Sequence, residues 1–350
     1  MSGQADRGRI LIFVPNWVGD AVMATPALRA LRNRYDSDEF IAVGRPHIAA
    51  VFDGTGLIDR YIDWKRKGGG QLASRLRAER ADVAVLFPNS IRVAAMAVAA
   101  RVARRVGTSR GGRGWLLTDR VPRPKDKTPR PVIDLYNRVA EAAGARFGDA
   151  DRYRTEAAVT SGDRDRFDRF VASRDNGPRD GFVVLNGGGA FGAAKDWPTE
   201  SFRSLALKIT RELERDVVVT CGPAERDTAR QIATASDRVF HAADEEPHLG
   251  LTKAIVSRAA AMVTTDSGPR HFAKPFGVPV VTLFGPTHVA WSETFDRLAR
   301  HVQVDVDCGP CQQRVCPLGH HRCMTELTVG RVFDDVAATT GRVAPLAGAA

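Results

Sequence analysis

Short β-rich runs alternate with stretches of helical periodicity along most of this chain, and the pattern runs through twice. In the first half the runs fall at 10–14, 40–43, 61–64 and 83–87. Between the first two, Val22, Leu28 and Leu31 recur at roughly helical spacing within 21–35. A strand, a helix and a further strand of this kind make a parallel sheet covered by helices. A helical pattern at 134–145 follows a basic, Pro-rich stretch at 122–131 that reads as a loop. The second half restarts with runs at 182–186, 217–221, 239–241, 261–265, 278–284 and 302–306, and helical patterns at 199–214, 224–235 and 251–260 fill the gaps. Between the halves, SRDNGPRDG at 173–181 is rich in breakers and reads as the linker. The expectation is an α/β protein of two doubly wound, Rossmann-like domains facing each other across a cleft. Ligands in such sheets bind beyond the carboxyl ends of the strands, which makes that cleft the place to search.

Composition agrees with this and narrows the class. At 350 residues the chain suits two domains of about 100–200 residues each. It is 43% hydrophobic and 26% charged, as a soluble globular protein is and a disordered one is not. No charge-free apolar run approaches the length of about 18 residues that a membrane helix needs. Arg7 and Arg9 before the apolar stretch 10–18 imitate a signal peptide, but Pro15 and Asn16 interrupt the stretch and Asp20 follows it. The reading is a first buried strand in a cytoplasmic protein. The net charge is +10, and residues 101–130 carry ten Lys or Arg against Asp119 and Asp126. Such a stretch is a solvated basic loop or a surface for an anionic partner: phosphate, acidic sugar, anionic lipid or nucleic acid.

Four places could carry chemistry. The loop after the run at 182–186 is NGGGAFG (186–192), followed by Lys195. Gly187, Gly189 and Gly192 fit a dinucleotide fingerprint. The last Gly does not open the next helix, however, and the run at 217–221 ends in Cys-Gly-Pro without an acid for a ribose. Bare backbone amides and one ammonium suit a diphosphate better. The second place, TTDSGPRH (264–271), follows an apolar strand and leads into an expected helix, whose first amides, with Ser267 and Gly268, would form an anion site. Asp266 there could also be a plain N-cap, and His271 a buried histidine. The third is PNWVGDAVM (15–23), where Asp20 stands at a strand-to-helix turn. A carboxylate so placed can accept a proton from a hydroxyl nucleophile, or can simply cap a helix.

The fourth is a cysteine cluster: Cys308, Cys311, Cys316 and Cys323, with His320 and His321 among them. A structural zinc, free thiols packing a loop and a redox or cluster role all fit it, although the usual pair of C-x2-C knuckles is missing. A disulfide pair is disfavoured in a reducing compartment. Asp305 and Asp307 form a D-x-D, the manganese motif of one glycosyltransferase architecture. That motif is common by chance, and here it stands beside the cysteines rather than in a nucleotide-binding half.

Taken in order, PNWVGDAVMATP (15–26), LFPNS (86–90), NGGGAFGAAKDWP (186–198), CGPAE (221–225) and TDSGPRH (265–271) resemble the motifs of the ADP-heptose:lipopolysaccharide heptosyltransferases, glycosyltransferase family 9. The likeness runs from about residue 9 to residue 325 and is closer to the type II branch than to type I. It implies a GT-B fold with an acceptor-binding domain at 1–172, a linker at 173–181, an ADP-sugar-binding domain at 182–325, and a C-terminal helix and tail at 326–350. It also implies inverting transfer of L-glycero-D-manno-heptose from ADP-heptose to the inner core of lipopolysaccharide. Asp20 falls where the family's proposed general base lies. Lys195, Glu225, Asp266, Ser267, Gly268 and His271 fall at its donor positions, Lys195 and the 266–268 amides on the diphosphate and Glu225 at the adenosine end. No metal or other cofactor is required in this reading, and a structural zinc on the four cysteines stays open. The partners implied are ADP-heptose, an anionic lipopolysaccharide core and the cytoplasmic surface of the inner membrane, with no nucleic acid. Ala190 and Phe191 stand where some relatives carry hydroxyl residues. A GT-B enzyme with another donor or acceptor is the nearest rival; a basic, Cys-rich nucleic-acid-binding protein is a distant one, since aromatic residues are only 7% and no nucleic-acid module is visible.

Overall fold

The computed structural model describes residues 8–65, 69–122, 126, 128–189 and 191–340. Arg7, Arg123, Lys125, Lys127, Ala190 and the tail 341–350, all part of the sequence reading, lie outside the described residues. The chain forms two compact units, Met1–Ala158 and Val159–Ala350.

In the first unit β1 (Arg9–Phe13), β2 (Glu39–Gly44), β3 (Arg60–Asp63), β4 (Val83–Leu86), β5 (Arg104–Thr108) and β6 (Asp119–Val121) form one sheet in the order β3-β2-β1-β4-β5-β6. Every pairing in it is parallel. The central strands are apolar beyond their first residues because helices cover both faces; Leu11, Ile12, Ile41 and Val85 have no exposed surface. In the second unit β7 (Val183–Asn186), β8 (Val217–Thr220), β9 (Val239–His241), β10 (Ala261–Thr265), β11 (Val280–Phe284) and β12 (Ala299–Gln303) repeat the same plan, again all parallel, in the order β12-β11-β10-β7-β8-β9. Each sheet therefore reverses its winding once, between β1 and β4 and between β7 and β10. Such switch points open a crevice at the carboxyl ends of the two strands.

Three expectations change. The division between units falls at 158/159, ahead of the expected 173–181. The helix Ser161–Ala172 belongs to the second unit because it packs on the helix Leu249–Ser257. Buried Asp163 and fully buried Lys253 pair across that contact at 3.1 Å, and Phe167 stacks on Phe182 at 6.3 Å. The basic stretch 101–130 is also no plain loop. It supplies β5 and β6, whose charges hid them: Arg104 pairs with Asp119 at 3.1 Å, and Arg105 spends its guanidinium on the carbonyls of Val102, Ala103 and Leu116. The last strand lies at Ala299–Gln303 rather than 302–306, set by pairing of Val280 with Ala299.

Arg113 has no exposed surface. Its guanidinium donates to the carbonyls of Pro88, Ser90 and Thr108 at 2.6, 3.1 and 2.8 Å, and to the Thr108 hydroxyl at 3.1 Å. Burial pushes this arginine down to about 10. It ties the loop after β4 to the end of β5.

Candidate active site

The second switch point gathers most of the expected donor residues. Asn186 ends β7, and its side-chain amide donates to the Gly188 carbonyl at 3.1 Å and to the Ser267 hydroxyl at 2.9 Å. That bond ties the glycine loop after β7 to the turn after β10. The loop then makes a short 3-10 turn, Ala193–Lys195, and its last residue reaches back across the switch point. Lys195 Nζ donates to the Asp266 carboxylate at 2.6 Å and to the Asp266 carbonyl at 2.8 Å. Thr287 and Ser292 donate to the two oxygens of the same carboxylate at 2.8 and 3.1 Å. Burial opposes charge on Asp266, but Lys195 and Arg270 beside it prevail and hold the carboxyl well below the usual carboxylate range. Asp266 is therefore no simple N-cap; it anchors an ammonium, two of whose three N–H groups it takes. The Lys195 ammonium also stands 4.4 Å from the centre of the Phe191 ring.

Ser267 and Gly268 sit where expected, but the element that follows does not. Gly268–Phe272 is a five-residue 3-10 turn, followed by another at Lys274–Phe276 that Gly277 ends with a φ of +66°. A long helix and its full dipole are absent here; the positive charges beside the turn are those of Lys195 and Arg270. His271 is buried, and burial, with Arg270 adding to it, pushes its imidazole well below its ordinary value. It is neutral at pH 7. Arg270 is buried too, donating to the Ser292 carbonyl at 2.6 Å and lying 5.3 Å from the Phe284 ring.

Glu225 lines a separate pocket beside the glycine loop, with Gly188, Trp197, Thr220 and Cys221. Its side chain lies so close that a Cβ at Gly188 or Gly222 would overlap it. The need for room is greatest at Gly188, where the overlap reaches the Glu225 Cγ and Cδ; at Gly222 only a carboxylate oxygen is in the way. Burial, with Glu225 adding to it, pushes the Cys221 thiol up to about 11, so it stays protonated.

In the first unit Asp20 belongs to the helix Val18–Met23, which Trp17 caps without a side-chain bond. The carboxylate is half-buried and accepts a hydrogen bond from the Tyr136 hydroxyl at 2.8 Å. Burial, then the charge of Asp20, pushes the Tyr136 phenol well above its ordinary value, so it remains a donor. Tyr136 stands edge-on against Phe87 at 5.3 Å, in the LFPNS loop.

The four clustered cysteines line one apolar pocket with His320 and His321. All are free thiols. As they stand, no three His, Cys, Asp or Glu side chains among the described residues are arranged to hold a metal ion. Backbone N–H groups, that of His321 foremost, pull the Cys316 thiol down, whereas burial and the other three cysteines push Cys323 up.

Sequence reasoning missed Asn186 as a tie, Thr287, Ser292, Arg270 and Tyr136. Thr287 had a signal: it follows Gly-Pro at the end of β11, as Ala224 follows Gly-Pro after β8. Tyr136 had none, for its partner lies 116 residues away.

These features match known proteins. The solved structure of Escherichia coli ADP-heptose lps heptosyltransferase II superposes with a TM-score of 0.79 at 22% identity, covering 95% of this chain and 99% of that one. A glycosyltransferase family 9 structure from Veillonella parvula gives 0.80 at 21% identity, covering 97% and 98%. Lipopolysaccharide heptosyltransferase 2 of Escherichia coli K12 is 25% identical over 350 residues, covering 94% of this chain and 97% of its own. Lipooligosaccharide heptosyltransferase 2 of Campylobacter jejuni (strain 81116) is 23% identical over 340 residues, covering 94% and 98%. The two repeated parallel sheets are the fold of a GT-B glycosyltransferase. The model of glycosyltransferase family 9 (heptosyltransferase) matches residues 70–322, and the chain belongs to that family.

Proposed function

We propose that this enzyme transfers L-glycero-D-manno-heptose from ADP-heptose to the inner core of lipopolysaccharide, with inversion, as a type II heptosyltransferase. The observation that carries the reading is the ammonium locked at the second switch point by Asp266, in a chain whose relatives over more than nine-tenths of its length are named heptosyltransferase 2. Asp20 takes the proton as the acceptor hydroxyl attacks the anomeric carbon. The bond from that carbon to the β-phosphate oxygen breaks, and ADP leaves with the electron pair. Lys195 and the amides at 266–268 stabilise the diphosphate as its charge grows, without a metal ion. Glu225 takes the adenosine end. Ser267 and Gly268 shape the phosphate turn, and neutral His271 fills its base. Tyr136 holds the Asp20 carboxylate in place through the bond described above.

The acceptor brings carboxylates and phosphates to a first unit rich in arginine, and the reaction is proposed to run at the cytoplasmic face of the inner membrane. No helix among the described residues is long and apolar enough to cross a membrane. The deciding experiment offers purified enzyme ADP-heptose and heptose-truncated core, with UDP-glucose and ADP-glucose as competing donors. Transfer from ADP-heptose at least a hundredfold faster than from either competitor is expected. Preference for another donor would overturn the assignment.

A further inference from the structure

Between β12 and the helix Arg322–Thr325 the chain runs without regular structure through the cysteine cluster, and the donor chemistry above makes no use of it. Its backbone is fastened to the donor loop and to the turn after β11. Ala194 N–H donates to the Arg314 carbonyl at 3.0 Å, His321 donates through Nε2 to the Ala194 carbonyl at 2.7 Å, and Gln312 N–H donates to the Pro286 carbonyl at 2.7 Å. At Gly192, with a φ of +144°, a Cβ would come within 2.5 Å of the Arg314 carbonyl oxygen, so only glycine lets the two backbones approach this closely. Both fastened segments serve the donor site. Ala194 precedes Lys195, and Pro286 precedes Thr287, whose hydroxyl donates to Asp266. The four cysteines line the hollow beside this clamp, together with Ala194 and Pro286.

The clamp brings a cation to the same ring as Lys195. The guanidinium carbon of Arg314 lies 5.6 Å from the centre of the Phe191 ring, and the Lys195 ammonium lies 4.4 Å from it. Both fall within the reach of about 6 Å over which a cation is drawn to an aromatic face. The two cations differ in what neutralises them. Lys195 has the Asp266 carboxylate at 2.6 Å. Arg314 is exposed, and among the described residues its guanidinium makes no ion pair or hydrogen bond; it rests on the Phe191 ring. A planar group with five N–H donors is therefore free to meet an anion close to the lysine of the donor loop.

We propose that Arg314 is a second cation on the donor's diphosphate: beside Lys195 it grips the phosphate oxygens of the bound nucleoside diphosphate and meets the charge that grows on them as the bond to the sugar breaks. The proposal rests on the donor reading of Lys195 above. It gives the cysteine loop a task, which is to hold Arg314 over Phe191. The bond between Arg314 and Ala194 is made by backbone atoms, so the charge can be removed with the clamp in place.

The test is calorimetry of ADP and of adenosine on the full chain carrying Arg314→Met or Arg314→Lys. Methionine keeps an apolar stem on the ring and loses the charge. The dissociation constant for ADP rises about tenfold in Arg314→Met, the worth of one charge-assisted phosphate contact. Arg314→Lys recovers part of the loss, since it keeps the charge without the fork. Adenosine, which carries no phosphate, binds both variants as it binds the wild type. ADP affinity within twofold of wild type in Arg314→Met would overturn the proposal. So would equal losses for ADP and adenosine, because they would trace the effect to packing of the loop. Failure of the donor reading looks different. ADP binding without heptose transfer strikes the proposed function alone, and Arg314 is still decided by ADP affinity. If the wild type binds no ADP, inorganic pyrophosphate is titrated instead. Pyrophosphate affinity that Arg314→Met loses supports the anion contact; unchanged affinity, or no binding to the wild type, refutes it.

Discussion

Replacing Lys195 by Met separates what the ammonium does for the fold from what it does for the donor. Met keeps the length and volume of the side chain and removes the charge. In the native unit burial disfavours charge on Asp266, and Lys195 is the largest influence opposing it. The native carboxyl is held low, so the stability it contributes is present above the ordinary carboxylate pKa and is lost as pH falls through the folded value. In Lys195→Met the carboxyl keeps only Thr287, Ser292 and the more distant Arg270 charge, and its pKa moves up. Breaking a buried pair by removing one partner costs about 3–5 kcal/mol. For a unit of this size that lowers the melting temperature by about 6–20 °C. The loss is greatest at pH 8 and shrinks toward pH 5, where the stranded carboxyl takes up a proton. Adding Asp266→Asn removes the stranded charge and restores most of the melting temperature. It cannot restore the phosphate contact, so ADP binding stays about ten- to a hundredfold weaker by calorimetry in both variants. Melting curves across pH 5–8, with ADP titrations of the single and double variants, decide the matter. ADP affinity in the double variant equal to wild type would refute the donor role of Lys195, and a pH-independent melting loss in the single variant would refute the electrostatic account.

Other expectations are simpler to state. Asp20→Asn lowers kcat by about 10²–10⁴-fold with ADP affinity unchanged, and turnover within threefold of wild type would remove Asp20 from the chemistry. Tyr136→Phe keeps the edge contact with Phe87 and loses one hydrogen bond, so stability falls by about 0.5–1.5 kcal/mol and kcat falls less than in Asp20→Asn; equal losses would mean that Tyr136 itself handles the proton. Activity persists after EDTA and dialysis; loss reversed by Mg²⁺ or Mn²⁺ would overturn the metal-free mechanism, and loss reversed only by Zn²⁺ would give the cysteine cluster a structural ion. In thiol labelling at pH 7 followed by mass spectrometry, Cys316 reacts first and Cys221 and Cys323 last, because the Cys316 thiol is pulled down and the other two are pushed up; the reverse order would contradict these shifts.

Much of the fold was legible because parallel strands buried on both faces must be largely apolar, and β1, β4, β7, β10 and β11 are, with only Arg9, Asn186, Thr264, Thr265 and Thr282 as polar residues among them. β5 escaped notice because its opening Arg104 and Arg105 find partners only after folding. The position of β12 was missed for the same reason: Ala299, Arg300 and His301 give no apolar signal, and pairing with β11 decides the register. Within the site, Lys195 and Asp266 could be picked out separately, as a cation after a glycine loop and an acid after a strand. That they are one ion pair depends on a contact spanning 71 residues, which no local pattern encodes. The expected helix after Asp266 failed on a local fact: Pro269 and Pro275 divide the segment into short turns.

If the first unit takes the acceptor, as the proposed reaction requires, Arg113 matters for binding as well as for stability. A lysine could not replace it, for one ammonium cannot span the carbonyls of Pro88, Ser90 and Thr108 that the planar guanidinium joins. The loop after β4 is thereby held in one arrangement before any ligand arrives. Ordering a backbone residue costs about 1–2 kcal/mol, and here folding has already met that cost for the three residues after Phe87. Association is then charged less for lost freedom, and mutations that loosen Arg113 would weaken binding without touching a single ligand contact.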